Sequence, residues 1–295
     1  MDERQDDKPE ITREMIALYD DYTHVSLDRR RFMDSLAKVA GSMTAAVAIA
    51  GMMGASAKAQ GLTEDGDERL ETAEITYPGA TGEMKGYLVT PREPGPFPAV
   101  IVVHENRGLN AHTRDVARRM ALEGFVALAP DYLSDLGGTP TDEEAARALF
   151  QQLTPPGVNA NGIATIAFLK TVPKSTGKVG AIGFCWGGST VNNLAVASPD
   201  LLAAVPYYGG QPKAEDVPNI KARIMAHYGG LDERINAGID AYKKALEDNG
   251  KTFEIFVYDG VNHAFNNDTS SARYDKAAAD LAWGRTVEFF KKYLG

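Results

Sequence analysis

The chain reads as an α/β fold with a mostly parallel central sheet and helices on both faces. Two observations predict this. Strand-like and helix-like segments alternate from about residue 70 to the end, and alternation of that kind builds parallel sheets with crossover helices. Ala99-Val100-Ile101-Val102-Val103 is an unbroken apolar run rich in β-branched residues, as expected of a strand covered on both faces.

Taken in order, Thr72–Tyr77 and Met84–Val89 alternate apolar and polar residues and predict an antiparallel hairpin at a sheet edge. After the proline-rich loop Pro91–Pro98 and the buried run at 99–103, further strands are expected at Phe125–Ala129, Val179–Phe184, Ala203–Tyr208, Ile224–Tyr228 and Phe253–Tyr258. Helices are expected between them at Thr113–Glu123, Asp142–Leu153, Ile163–Thr171, Ser189–Ala197 and Ala237–Asn249. Trp283, Val287, Phe290 and Leu294 recur at steps of four, three and four, the spacing of a helix packed on the sheet. There is no internal repeat and no second boundary after residue 70. The expected organisation is an N-terminal extension, 1–61, and one catalytic domain, 62–295.

The extension differs in character from the rest. Acidic residues Asp2, Glu3, Asp6 and Asp7 precede Ser26-Leu27-Asp28-Arg29-Arg30-Arg31-Phe32-Met33. An uncharged stretch rich in Ala, Gly and Met runs from Val39 to Ala57, and Ala57-Lys58-Ala59 closes it. A basic segment, a mildly apolar stretch and an A-x-A site form the pattern of an export signal. The Arg-Arg-x-Phe core resembles the twin-arginine type, whose passengers cross the membrane folded. The expectation is an exported or periplasmic protein without stable membrane insertion. The alternative is a cytoplasmic protein whose N-terminal segment is kept as an amphipathic helix docked on the domain or on a second subunit.

A formal charge of -9 argues against a nucleic-acid partner. The sequence holds 1 cysteine, Cys185, so no intrachain disulfide can form. A solitary cysteine is either a small buried hydrophobe or, with His and acid partners elsewhere, a nucleophile. Its context favours the nucleophile. Val179–Phe184 runs into Gly183-Phe184-Cys185-Trp186-Gly187-Gly188 and then into a helix, the strand–turn–helix of a nucleophile elbow with Cys in place of Ser. The central residue of such an elbow is strained, and its neighbours must lack Cβ atoms. The helix N-terminus favours thiolate, and the Trp186 N–H is placed to hold a developing oxyanion.

Partners follow in the chain order of α/β-hydrolases, acid and then histidine. Asp232 lies in Gly229-Gly230-Leu231-Asp232-Glu233-Arg234 and His263 in Asp259-Gly260-Val261-Asn262-His263-Ala264-Phe265. Each loop leaves the carboxyl end of a predicted strand, where sites of open α/β sheets lie. His263 would be the general base, oriented by Asp232, with Glu233 as the alternative acid. His104, Glu105 and His112 lack His-Glu-x-x-His spacing, so no zinc site is expected.

Across residues 70–295 the chain resembles the dienelactone hydrolase family of α/β-hydrolases. The matching stretches are Val102-Val103-His104-Glu105-Asn106-Arg107-Gly108, Ala129-Pro130-Asp131, the Cys185 elbow, the Asp232 loop and Gly260-Val261-Asn262-His263-Ala264-Phe265. The resemblance implies a hydrolase of carboxylic esters or lactones acting through a Cys185-His263-Asp232 triad and a covalent acyl-enzyme, with no metal or organic cofactor. It implies that Glu105 interacts with the resting thiol, and that the Asn106 N–H is the second oxyanion donor. Two arginines that hold a substrate carboxylate in the family are replaced by Asp135 and Asn267, and an acid there would repel a carboxylate. Dienelactone itself is therefore doubtful as the substrate. Arg107, Tyr132 and Asn267 are candidate substrate contacts. The rivals are a thioesterase or peptidase on the same framework and a non-catalytic binding protein.

Overall fold

The computed structural model describes residues 11–24, 28–54 and 62–295. The acidic leader residues and the Ala57-Lys58-Ala59 site lie outside the described residues, as do Ser26 and Leu27 at the start of the basic segment. Among the described residues the chain forms one eight-stranded sheet.

The hairpin forms as β1 (Leu70–Pro78) and β2 (Glu83–Pro91), followed by β3 (Phe97–Val103), β4 (Val126–Asp131), β5 (Ser175–Phe184), β6 (Leu201–Tyr207), β7 (Arg223–Gly229) and β8 (Phe253–Tyr258). The order across the sheet is β1-β2-β4-β3-β5-β6-β7-β8. β2 runs antiparallel to both β1 and β4, and every pairing from β4 to β8 is parallel. The predicted edge hairpin and the parallel remainder are both present.

Three N-terminal helices, α1 (Arg13–His24), α2 (Arg29–Ala40) and α3 (Met43–Gly54), precede the sheet. The sheet is flanked by α4 (Ala111–Leu122), α5 (Glu143–Phe150), α6 (Pro155–Leu169), α7 (Trp186–Ala197), the short α8 (Glu233–Asn236), α9 (Ile239–Asp248) and α10 (Lys276–Leu294). β3 shows why the sheet needs two covers. Val100 and Val102 pack with Val116 and Met120 of α4 and Phe290 of α10, while Ala99, Ile101 and Val103 pack with Ile166 of α6 and Leu194 of α7. Alternate side chains of a strand point to opposite faces, so a strand apolar at every position requires helices on both. Each such buried Val or Ile contributes roughly 1.5–3 kcal/mol of burial free energy. Val287, Phe290 and Leu294 of α10 are buried as their spacing predicts, and Trp283 packs beside them under the Arg119 guanidinium, 3.9 Å from its ring centroid.

Helix starts depart from expectation where capping outweighs apolar periodicity. α6 begins eight residues early, because the Thr154 side chain accepts from the Gly157 N–H and Pro155 opens the first turn. The helix expected at Ala237–Asn249 forms as α9 from Ile239, after Gly238, and the one-turn α8 at Glu233–Asn236 precedes it. α2 is capped by Asp28, whose carboxylate accepts from the Arg31 N–H, and ends at Gly41 in the left-handed region. Residues of α1, α2 and α3 build a small core of their own around Tyr19, Tyr22, Phe32, Leu36 and Ile49. No single helix among the described residues is long and apolar enough to cross a membrane, and α2 and α3 meet at a bend of 111°.

Candidate active site

Cys185 stands between the end of β5 and the first residue of α7, at φ +56°, with its N–H donating to the Tyr207 carbonyl at 3.0 Å. Positive φ is strained for a residue with a side chain, and the surrounding backbone holds it there. A Cβ on Gly183 would lie 2.3 Å from the Gly187 carbonyl oxygen, and one on Gly187 would lie 2.4 Å from the Val103 oxygen. Both positions therefore require glycine, as the elbow pattern predicts.

The acid and histidine loops are stitched together by backbone hydrogen bonds, Gly230 N–H to the Tyr258 carbonyl at 2.7 Å and Leu231 N–H to the Val261 carbonyl at 3.0 Å. Asp232 divides its carboxylate: Oδ1 accepts from the Ile235 N–H at 3.3 Å and caps α8, while Oδ2 accepts from His263 Nδ1 at 2.5 Å. Glu233 is exposed, so the structure brings Asp232 and not Glu233 to the histidine. Burial by itself would depress the His263 pKa. The hydrogen bonds to Asp232 and Cys185, with their charges, prevail and hold it up at about 10. Asp232 is buried, which opposes its ionisation, yet the His263 hydrogen bond keeps its carboxyl below the usual value.

Glu105 follows β3 and is buried beside Cys185, His263, Thr23 and Arg273 in a small cavity. Its Oε2 accepts from Asn267 Nδ2 at 3.1 Å. His104, next to it, is turned the other way. His104 Nδ1 donates to the Glu105 carbonyl at 2.7 Å and Nε2 accepts from the Tyr132 N–H at 3.2 Å, and burial lowers the ring's pKa, which fixes a neutral tautomer. Both ring nitrogens are thus committed to the backbone. Among the described residues there is no grouping of three His, Cys, Asp or Glu able to hold a metal.

The substrate contacts expected from sequence need correction. Arg107 is buried and committed to Glu143 Oε2 at 2.9 Å and to the Tyr19 hydroxyl, so it offers no guanidinium to a substrate at Cys185. Tyr132 is buried behind the indole of Trp186, ring centroids 5.5 Å apart, and does not line the cleft. Asn267 lies inside, holding Glu105 and accepting from the Thr269 hydroxyl at 2.6 Å. Asp135 accepts from the Thr81 hydroxyl and is absent from the cleft wall, so it exerts no close repulsion there.

The cleft at Cys185, of about 680 Å³, is walled by residues that local patterns did not single out. Arg147 of α5, Arg234 of α8 and Tyr208 line it beside Trp186, Asn106 and His263, and Tyr22 and Thr23 reach it from α1. The Tyr208 ring lies 5.0 Å from that of His263. Arg234 could have been noticed from its place two residues after Asp232. The α1 residues carry no local signal, because only long-range packing brings them to the site.

Comparison with known proteins gives a consistent result. Residues 84–294 match the sequence profile of the "Dienelactone hydrolase family". "Protein usf" of Aquifex pyrophilus is 39% identical over 224 residues, covering 72% of this chain and 94% of its own length. A "Putative carboxymethylenebutenolidase" of Methylorubrum extorquens is 32% identical over 239 residues, covering 76% of this chain and 82% of its own length. The crystal structure of a "Putative Dienelactone Hydrolase" from Klebsiella pneumoniae superimposes with a TM-score of 0.70 at 29% identity, covering 76% of this chain and 99% of that one.

Proposed function

Because the chain belongs to the dienelactone hydrolase family, and with it to the carboxylic ester hydrolases, we propose that it cleaves a small ester or lactone through Cys185, His263 and Asp232 by way of a covalent acyl-enzyme. The observation that carries this reading is the His263 ring, hydrogen-bonded to Asp232 Oδ2 at 2.5 Å on one side and to Cys185 on the other, at the floor of the 680 Å³ cleft.

The thiolate of Cys185 attacks the carbonyl carbon, and the electron pair of the C=O bond moves onto oxygen. The N–H groups of Trp186 and Asn106 receive that oxyanion; Trp186 opens α7, where backbone donors have no intrahelical acceptor. Donors of this kind contribute about 3–4 kcal/mol each to comparable transition states. Collapse breaks the ester C–O bond, and His263, held protonated by Asp232, gives its proton to the leaving alkoxide. In a lactone the leaving oxygen stays tethered to the acyl group. Water then attacks the thioester, His263 takes its proton, and the acid departs as the C–S bond breaks.

The reading is tested by comparing an activated aryl acetate and a dienelactone as substrates of the wild type and of Cys185→Ala. Acetate turnover is expected to fall about ten-thousand-fold or more in the variant, and dienelactone to be the poorer substrate of the wild type. Turnover that survives the substitution would remove the cysteine mechanism, and a wild type inactive on a broad ester panel would favour the non-catalytic reading.

A further inference from the structure

The C-terminal end of α1 walls the cleft through Tyr22 and Thr23 and is tied to the catalytic domain by side chains. Asn106 Nδ2 donates to the Thr23 carbonyl at 2.8 Å, Arg147 Nη2 to the Tyr22 carbonyl at 2.6 Å, and Arg273 Nη1 to Asp20 Oδ1 at 2.9 Å. Within this arrangement the Tyr22 side chain has its own fixtures. Its hydroxyl donates to the Glu144 carboxylate at 2.7 Å, its ring stacks on Phe32 with centroids 4.5 Å apart at 8°, and the Arg147 guanidinium lies 4.3 Å from its centroid.

A second cavity, of about 660 Å³, lies beyond Tyr22. Phe32, Met33, Met43, Val47 and Ala50 of α2 and α3 form its apolar wall, and Arg107, Asp142, Glu143, Glu144 and Arg147 its charged one. The cleft at Cys185 and this apolar groove share the wall residues Tyr22, Arg29, Glu144 and Arg147. Of these, Tyr22 is the apolar ring, and it is buried.

We propose that Tyr22 is the specificity-determining partition between the catalytic cleft and the apolar groove, and that it restricts the full-length enzyme to esters with a short acyl arm. The proposal rests on the site reading above, with Cys185 at the cleft floor. A long alkyl chain entering from the thiol meets a ring held by a hydrogen bond, a stack and a cation. Removing the ring would open the shared wall beside Arg29, Glu144 and Arg147 and give such a chain a path to the apolar face of α2 and α3.

The single cysteine provides a readout that does not depend on turnover. Full-length wild type, Tyr22→Ala, Tyr22→Phe and Tyr22→Ala/Ala50→Phe are labelled with N-ethylmaleimide and with N-octylmaleimide, and the ratio of the two rates at Cys185 is measured. Tyr22→Ala is expected to shift the ratio toward the octyl reagent by about tenfold or more, the scale on which apolar pockets discriminate chain length. Tyr22→Phe, which keeps the ring and the stack, should keep the wild-type ratio. Ala50→Phe, which fills the groove, should reverse the gain. An unchanged ratio in Tyr22→Ala overturns the proposal. So does a gain that Ala50→Phe fails to reverse, since that gain would come from α1 lifting off. Aryl acetate and aryl octanoate give the matching test in turnover. A labelling shift without cysteine-dependent hydrolysis would sustain the partition and remove the hydrolase reading. Hydrolysis with an unshifted labelling ratio would do the reverse.

Discussion

Glu105 is held on one side only. Asn267 Nδ2 donates to Oε2, while Oε1 is buried with no hydrogen-bond partner among the described residues. An acceptor kept out of water in this way costs about 1–3 kcal/mol, so the fold maintains it against its own stability, as functional sites do. We propose that Glu105, placed beside Cys185, receives the thiol proton as substrate binds. Glu105→Ala is therefore expected to slow acylation, seen as a reduced burst rate with an aryl acetate, by roughly 10²–10⁴-fold, with the denaturation midpoint unchanged or raised. Acylation at the wild-type rate would take Glu105 out of the mechanism. The position of Glu105 was legible because it stands two residues past an apolar strand, in a motif. The use of Asn267 was not, because a residue 162 positions away is brought to Glu105 only by the folded sheet. Arg107 and Tyr132 misled for a related reason: each lies close in sequence to strand ends at the site, yet its side chain turns away into ion pairing or core packing.

Among the elements, the β5–α7 elbow is the most tightly determined. The Cβ of an alanine at 187 would meet the carbonyl oxygens of Val103 and His104 at 2.4 and 2.5 Å, both backbone atoms of the adjacent strand end. Gly187→Ala is expected to lower stability by roughly 2–4 kcal/mol, read from urea midpoints. Gly284→Ala is the control: it lies in α10 with no atom within 4 Å of its new Cβ, and should raise stability by up to about 1 kcal/mol. Equal effects at the two positions would contradict the close-approach argument. Strands were more legible than helices here. An apolar run buried on both faces announces itself, whereas the start of α6 depends on one Thr154 hydrogen bond and two prolines, and the break before α9 falls at a glycine that periodicity passes over.

At the scale of the molecule, the domain and its sheet follow from alternation, and the docking of α1, α2 and α3 does not. The basic start of α2 and the apolar α3 fit an export signal as well as they fit a small helical cap, because local pattern does not record what a face will pack against. We propose export of the folded chain on that composition. Sequencing the N-terminus of protein from its native host is expected to find a start after Ala59. A start at Met1 in soluble cytoplasm would end the export proposal and leave α1 as a permanent wall of the cleft. Processing would thus change the enzyme's reach as well as its address, since Tyr22 and Thr23 leave with the segment.

The ties of α1 also bear on the order in which the molecule is made. Asp20 binds Arg273 across 253 residues of sequence, and Tyr22 binds Glu144 across 122. A chain emerges from the ribosome with α1 first, and contacts between distant residues form late because their loops must close before any contact is gained. His263 and Arg273 are among the last parts of the site to be synthesised. The partners at Asn106, Glu144 and Arg147 are made well before Arg273, so one side of α1 can dock early, and the Asp20 tie closes only after His263 has been synthesised.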